Sequence, residues 1–241
     1  MTVSQVGTAP ATVYTTTNGA NTPTLAWGTG QTRAAGDLLV LVVTAAAITS
    51  VTAPSAPSGW QTAVATGNGG TAHAYAAVYY KYATGGDGVP SITVTTSGTT
   101  RAGFSLFEFT NVNAVTPFDT TGTYASGSGS STITSMTATT SGNVSIAGEY
   151  AIAAFAREQA SAGTFNTTAW TPGSGFSNFS NDGGTSSRDH NAVDYSTSAP
   201  SPGGTLSDAA TMSSSASNAG YGAGVIAVLN GATPWLITSG P

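Results

Sequence analysis

His73 and His190 are the two side chains of this sequence whose ordinary pKa lies near neutrality. A nucleophilic triad needs such a base within hydrogen-bond reach of a serine, and an acid to orient it. Serines and acids are plentiful enough to draw one on paper. No Gly-x-Ser-x-Gly turn falls between a strand and a helix, however, where that chemistry requires it. Gly127-Ser128-Gly129 and Gly173-Ser174-Gly175 sit in low-complexity loops. His73 alternates with Tyr75 and reads as a strand-face residue, whereas His190 follows Asp189 in what reads as a loop.

Glycoside hydrolysis would need two carboxyl groups, one with a raised pKa. Glu108 and Glu149 stand in strand contexts, and Glu108 falls among Phe104, Phe107 and Phe109, surroundings that push a carboxyl up. The plainer reading pairs Glu108 with Arg101 or Lys81, or lets it reach solvent at a strand edge. If Glu108 is buried it needs a charged partner. For metals, the chain has 0 Cys and no His-x-x-x-His spacing. The stretch Asn181 to Asp189, with Asp194 beyond, offers oxygen donors suited to Ca²⁺, but it lacks the dense acid spacing of a calcium loop and contains Arg188. We therefore assign no catalytic, metal or cofactor-binding residue. Trp170, Phe176 and Phe179 are aromatics with loop neighbours that could stack on sugars. Trp60 and Phe176 read instead as core anchors at equivalent positions.

These side chains must be held by strands. Asp37 to Val43 is a continuous apolar run after an Ala-Ala-Gly turn, as in a strand buried on both faces. His73 to Tyr82 is rich in aromatics, and Ser91 to Thr96 alternates with period two. In Gly103 to Thr110, Phe104, Leu106 and Glu108 fall on one face and Ser105, Phe107 and Phe109 on the other. Further strands are expected at Ser131 to Ala138, Tyr150 to Ala156, Asn191 to Ser196 and Gly224 to Leu229. Gly/Ser/Asn clusters such as Gly67 to Gly70 separate them as turns. No long stretch carries a helical period, so the chain reads as all-β.

Composition narrows the functional classes. Charged residues make up 6% of the 241, with 5 Lys+Arg against 10 Asp+Glu. Phosphate neutralisation needs a basic footprint, so no nucleic-acid partner is expected. The longest apolar run is too short to span a bilayer, and no membrane insertion is expected. The first residues carry neither a basic nor an apolar leader region, which points to synthesis in a cytoplasm.

The sequence also repeats itself. Gly36-Asp37 before an apolar strand matches Gly148-Glu149 before another; Pro57-Ser-Gly-Trp60 matches Pro172-Gly-Ser-Gly-Phe176; Ala77-Val-Tyr-Tyr80 matches Ala192-Val-Asp-Tyr195. The halves close alike, with Asn111 then Thr116-Pro117, and Asn230 then Thr233-Pro234. The matches keep their order at an offset of about half the chain. The expected fold is an antiparallel, jelly-roll-like β-sandwich with two pseudo-equivalent halves. We expect one unit over residues 1–241, with pseudo-repeats at about 1–120 and 121–234, in preference to two tandem sandwiches meeting near residue 120.

The order of these motifs, down to Glu108 inside an apolar strand and Pro117-Phe118-Asp119 after it, resembles the β-sandwich virion proteins of tailed bacteriophages, of the minor tail or capsid-surface type. That resemblance implies a non-enzymatic structural protein on the exterior of the virion, made in the host cytoplasm and bound to other capsid or tail proteins. It carries over no catalytic residue. The alternative is a carbohydrate-binding or adhesin domain that contacts host surface glycans. Residues 235–241 read as a docking tail, because Trp235, Leu236 and Ile237 are consecutive and apolar. With Val3 and Val6 of an N-terminal strand, they are the expected assembly contacts of a homo-oligomer or of attachment to the particle.

Overall fold

The computed structural model describes residues 2–9, 11–16, 18–68, 73–98, 100–126, 133–145, 149–159, 170–183, 189–197, 202–212 and 220–232. The first half contributes strands β1 (Ser4–Gln5), β2 (Val13–Thr15), β3 (Gly19–Asn21), β4 (Leu38–Ala47), β5 (Ser50–Thr52), β6 (Gln61–Gly67), β7 (Ala74–Tyr82), β8 (Val94–Ser97) and β9 (Thr100–Thr110). The second contributes β10 (Phe118–Ser126), β11 (Ser135–Thr140), β12 (Ala151–Gln159), β13 (Trp170–Thr171), β14 (Ser177–Gly183), β15 (Asp189–Ser196), β16 (Ser207–Met212) and β17 (Gly220–Leu229). The described residues contain no helix, and all pairings are antiparallel.

The two halves have the same connectivity. The inner sheet of the first runs β9-β4-β7-β6, with β1 and β2 both paired to the far side of β9. The inner sheet of the second runs β10-β17-β12-β15-β14. The short outer sheets correspond too: β3-β8-β5 in the first half and β11-β16-β13 in the second. Finer features repeat as well. Trp60 N–H donates to the Pro57 carbonyl at 2.9 Å, and Phe176 N–H donates to the Gly173 carbonyl at 3.0 Å. Each turn uses a left-handed glycine, Gly59 at φ 78° and Gly175 at φ 86°, which a side chain would strain. Both edge strands then carry a register shift in the same place, between Thr62 and Val64 in β6 and between Asn178 and Ser180 in β14.

The inner sheets pack face to face. β4 lies over β12, and β17 lies over β7 as β9 lies over β15, so the halves are related by a pseudo-two-fold axis. Alternation along each strand sorts its side chains between two cores. Leu38, Val40, Val42, Phe107 and Phe109 meet Tyr150, Ile152, Ala154, Val225 and Leu229 in the central core. On the other faces, Leu41, Val43, Phe104 and Leu106 pack under Val51, Ile92 and Val94 of the first outer layer. Ala153, Phe155, Ile226 and Val228 pack under Met136, Ala210 and Met212 of the second. The inner strands are therefore middle layers, which is why β4 reads as an uninterrupted apolar run.

The halves differ at one edge. β10 is a single strand that pairs with both β17 and β11, so the second half's sheet has eight strands and nearly closes on itself. Its counterpart in the first half is broken into β1 and β2, with residues 6–12 between them.

Candidate functional site

Six of the acidic side chains are brought together in three pairs, each with at least one buried member. Asp194 on β15 and Asp208 on β16 are both 0% exposed. Asp194 accepts from the Trp170 indole N–H at 2.8 Å and from Asn178 Nδ2 at 2.8 Å. Asp208 Oδ1 accepts from Gly173 N–H at 2.7 Å, while its Oδ2 has no hydrogen-bond donor. Burial first, and the Asp208 charge second, push Asp194 up to about 8; burial also moves Asp208 upward, against the lowering effect of its hydrogen bonds with Gly173 N–H and Asp194. The pair titrates as a unit that keeps one proton near neutral pH. Asp194 is thus a core residue, not a donor on an open loop, and Trp170, buried against Phe155 and His190, is closed to sugars.

A second pair sits where the halves join. Asp119 accepts from the Ser145 N–H and hydroxyl, each at 2.6 Å. Burial first, and the Asp119 charge second, push the neighbouring Glu149 up to about 8. In the third pair, Glu108 is wholly buried, and Asp37 stands beside it. Glu108 Oε1 accepts from the Thr32 hydroxyl at 3.4 Å and the Ala34 N–H at 3.3 Å, and burial followed by Asp37 raises its pKa. This corrects the expectation of an Arg101 or Lys81 partner. Arg101 is seven residues away along the same strand, roughly 23 Å, and Lys81 is bonded to Asp87.

The histidines also lie elsewhere than expected. His190 belongs to strand β15 and is buried, not in a loop. Burial, with the charges of Arg157 and Arg101, holds its pKa down to about 4. His73 stacks on Tyr221 at 4.1 Å between ring centroids. Among the described residues no group of three or more His, Asp or Glu side chains is disposed to hold a metal ion. Arg188 of the candidate calcium stretch lies outside the described residues. The Asp194–Asp208 pair had one signal in sequence. Leu206, Asp208, Ala210 and Met212 share a period-two face, where an acid among apolar residues marks a buried carboxyl.

Elsewhere, two open concavities are formed among the described residues. The larger, about 520 Å³, is a groove between the N-terminal segment and the second half, walled by Val3, Gln5, Ala9, Tyr150, Phe179 and Tyr195. Tyr150 and Tyr195 stack there at 5.9 Å. The smaller, about 280 Å³, is lined by Pro57, Trp60, Lys81, Asp87, Val89 and Pro90. Neither contains any of the raised carboxyls. Trp60 and Phe176 occupy matching places just ahead of β6 and β14; each is half-buried, against the outer core of its own half. Val3 is buried in the central core, and Val6 is half-buried with its N–H donating to the Glu108 carbonyl at 2.8 Å. Trp235, Leu236 and Ile237 lie outside the described residues. The chain matches no protein-family model, no curated protein and no solved structure.

Proposed function

We propose that this chain is a non-enzymatic structural protein of a tailed-phage particle, displayed on its exterior and bound to other capsid or tail proteins. The observation that carries the non-enzymatic part is the placement of its acid–base groups. Among the described residues, the carboxyls with raised pKa are buried and line neither of the two concavities above. General acid–base catalysis needs such a group within reach of a substrate. The virion part rests on the sequence resemblance. It is supported by a surface poor in charge and by a doubly stacked sandwich that can hold loops rigidly in a fixed assembly. Quantitative mass spectrometry of purified particles, with antibody labelling in electron microscopy, tests the proposal. A fixed copy number per particle and exterior label are expected; particles lacking the chain would overturn it.

A second reading, contact with host glycans, is favoured by the smaller concavity. There the half-exposed Trp60 ring stands beside the Lys81–Asp87 ion pair. An aromatic face with flanking charged hydrogen-bonding groups is a chemistry that sugars use. A glycan array comparing the protein with Trp60→Ala tests it: binding lost in the variant supports this reading, and no bound glycan dismisses it.

A further inference from the structure

Among the described residues, the accessible apolar groups gather at one end of the fold. β4 begins at Leu38, which pairs with Tyr82, the last residue of β7, and with Phe109, near the end of β9. β12 begins at Ala151, which pairs with Ser196, the last residue of β15. Phe118 opens β10 opposite Leu229, the last residue of β17, directly after the connection 111–117 that leaves β9. Both halves therefore share this end, the base.

Two large hydrophobic side chains are exposed among the described residues, Val89 at 47% and Val115 at 88%. Val115 is carried on the 111–117 connection and Val89 on the segment that follows β7, so both stand at the base. The two concavities open there as well. Val89 and the half-exposed Trp60 line the smaller one, and Trp60 directly precedes β6, whose first residue pairs with Tyr80. The larger is walled by Tyr150, just ahead of β12, and by Tyr195, near the end of β15.

The base is braced, and its charges are drawn in. Asn113 Oδ1 accepts from the N–H groups of Val115 and Thr116 at 2.9 and 3.1 Å, and the Tyr82 hydroxyl donates to the Asn113 carbonyl. Thr84 N–H donates to Asp87 Oδ2 at 2.6 Å, and Lys81 holds the same carboxylate. Glu108 and Glu149 are buried, and Arg33, Asp37, Lys81, Asp87 and Asp119 are half-buried. A braced face loses little conformational freedom on binding, and depletion of charge marks the centre of protein–protein contacts. An uncharged face is matched by an uncharged one, because a charged partner group would lose water without gaining a counter-charge. The face spans both halves and joins two recesses to a projecting Val115. That breadth suits a protein surface, whereas one recess alone would hold a sugar ring.

We propose that the base is the attachment face of this protein, docked on a particle subunit that offers an uncharged, apolar surface. Val89 and Val115 press into that subunit, and the recesses at Trp60 and Tyr195 receive its side chains. The inference rests on the virion reading above and adds which end of the fold faces the particle.

Particles made without this chain, titrated with the purified, labelled protein, test it. The parent should bind to a fixed stoichiometry. Val89→Asp combined with Val115→Asp should bind at least about tenfold more weakly, because two carboxylates would be desolvated without partners. Val115→Asp alone should show a loss of the same sign. Both side chains are exposed, so the melting curve should stay as in the parent. Thr52→Asp, an exposed site on β5 of the first outer sheet, should bind as the parent does. Particles that bind the parent and the double variant equally would overturn the base as the attachment face and leave the virion reading standing. Particles that bind neither would overturn both. Equal losses in the double variant and in Thr52→Asp would also overturn the proposal. So would a parent dimer in light scattering that the double variant loses, which would assign the base to a second copy of this chain.

Discussion

Replacing Asp208 with Asn should make the protein less sensitive to alkaline pH without harming it near neutrality. Asp194 and Asp208 are 0% exposed, and the pair holds a proton until pH about 8. The unfolded chain releases that proton near the ordinary value of 3.8. Between these values the folded state binds more protons than the unfolded state, so stability falls as pH rises. The pair's contribution is fully present below the unfolded pKa and is lost as pH climbs through 8. The slope is about 1.4 kcal/mol per pH unit. From pH 6.5 to 8 this amounts to about 2 kcal/mol, or roughly 4–8 °C of melting temperature for a chain of this length. His190, held neutral with its pKa down to about 4, acts with the opposite sign, but mainly below pH 6.5, where unfolded histidine charges. In Asp208→Asn, the amide oxygen can still accept from Gly173 N–H, and the amide nitrogen can donate to Asp194 as the shared proton did. Scanning calorimetry at constant ionic strength should show a shallower fall for the variant over pH 6.5–8, and a higher melting temperature than the parent at pH 8. Parallel falls, or a variant less stable than the parent at pH 8, would refute the shared-proton argument.

Glu149→Gln should behave in the same sense, because burial and Asp119 push Glu149 up to about 8. Urea titrations should find the variant close to the parent at pH 5 and more stable at pH 8.5. Gly122→Ala should be severe. An added Cβ would stand 1.8 Å from the Thr139 carbonyl oxygen, in the middle of the β10–β11 pairing. A loss of about 3 kcal/mol or more is expected, read as loss of soluble, cooperatively melting protein. Trp60→Ala should cost about 2 kcal/mol in the same urea assay, below the roughly 3–5 kcal/mol of a fully buried Trp, because the ring is only half-buried against its outer core.

What could be read from the residues follows how strongly burial constrains them. The strand from Leu38 was legible because both its faces are covered, and the two faces of β9 were legible because Phe104 and Leu106 pack outward while Phe107 and Phe109 pack inward. The edge strands β6 and β14, and the rim strand β10, escaped notice because they are rich in Thr, Ser, Gly and Asn. Such residues fit a half-wet pleat but carry no strong period. His190 was misplaced for a related reason. Asp189 and His190 look like the end of a polar loop, yet they begin the strand expected from Asn191, whose Nδ2 reaches the Arg101 carbonyl at 3.2 Å inside the fold. The acid pairs were out of reach of local reading because their members are contributed by different strands. Asp37 and Glu108 meet only once β4 and β9 align, and Asp194 and Asp208 meet only once β16 folds over β15.

The pairing of acids is nonetheless anchored in composition. With 5 Lys+Arg against 10 Asp+Glu, the chain cannot match every acid to a cation. Lys81 is bonded to Asp87, and that half-buried pair holds Asp87 down to about 2. Six of the acids, Asp37, Glu108, Asp119, Glu149, Asp194 and Asp208, stand beside another acid instead. A buried carboxylate without a cation is expensive, and a proton is the cheapest counter-charge that fits a tightly packed core. In the Asp194–Asp208 pair, where Asp194 is pushed up to about 8, the pair keeps a proton and the cost of ionising both carboxyls is deferred to alkaline pH. The scarcity of Lys and Arg and the pairing of acid with acid are thus two consequences of one composition. Both point to a fold that tolerates mild acid better than mild base.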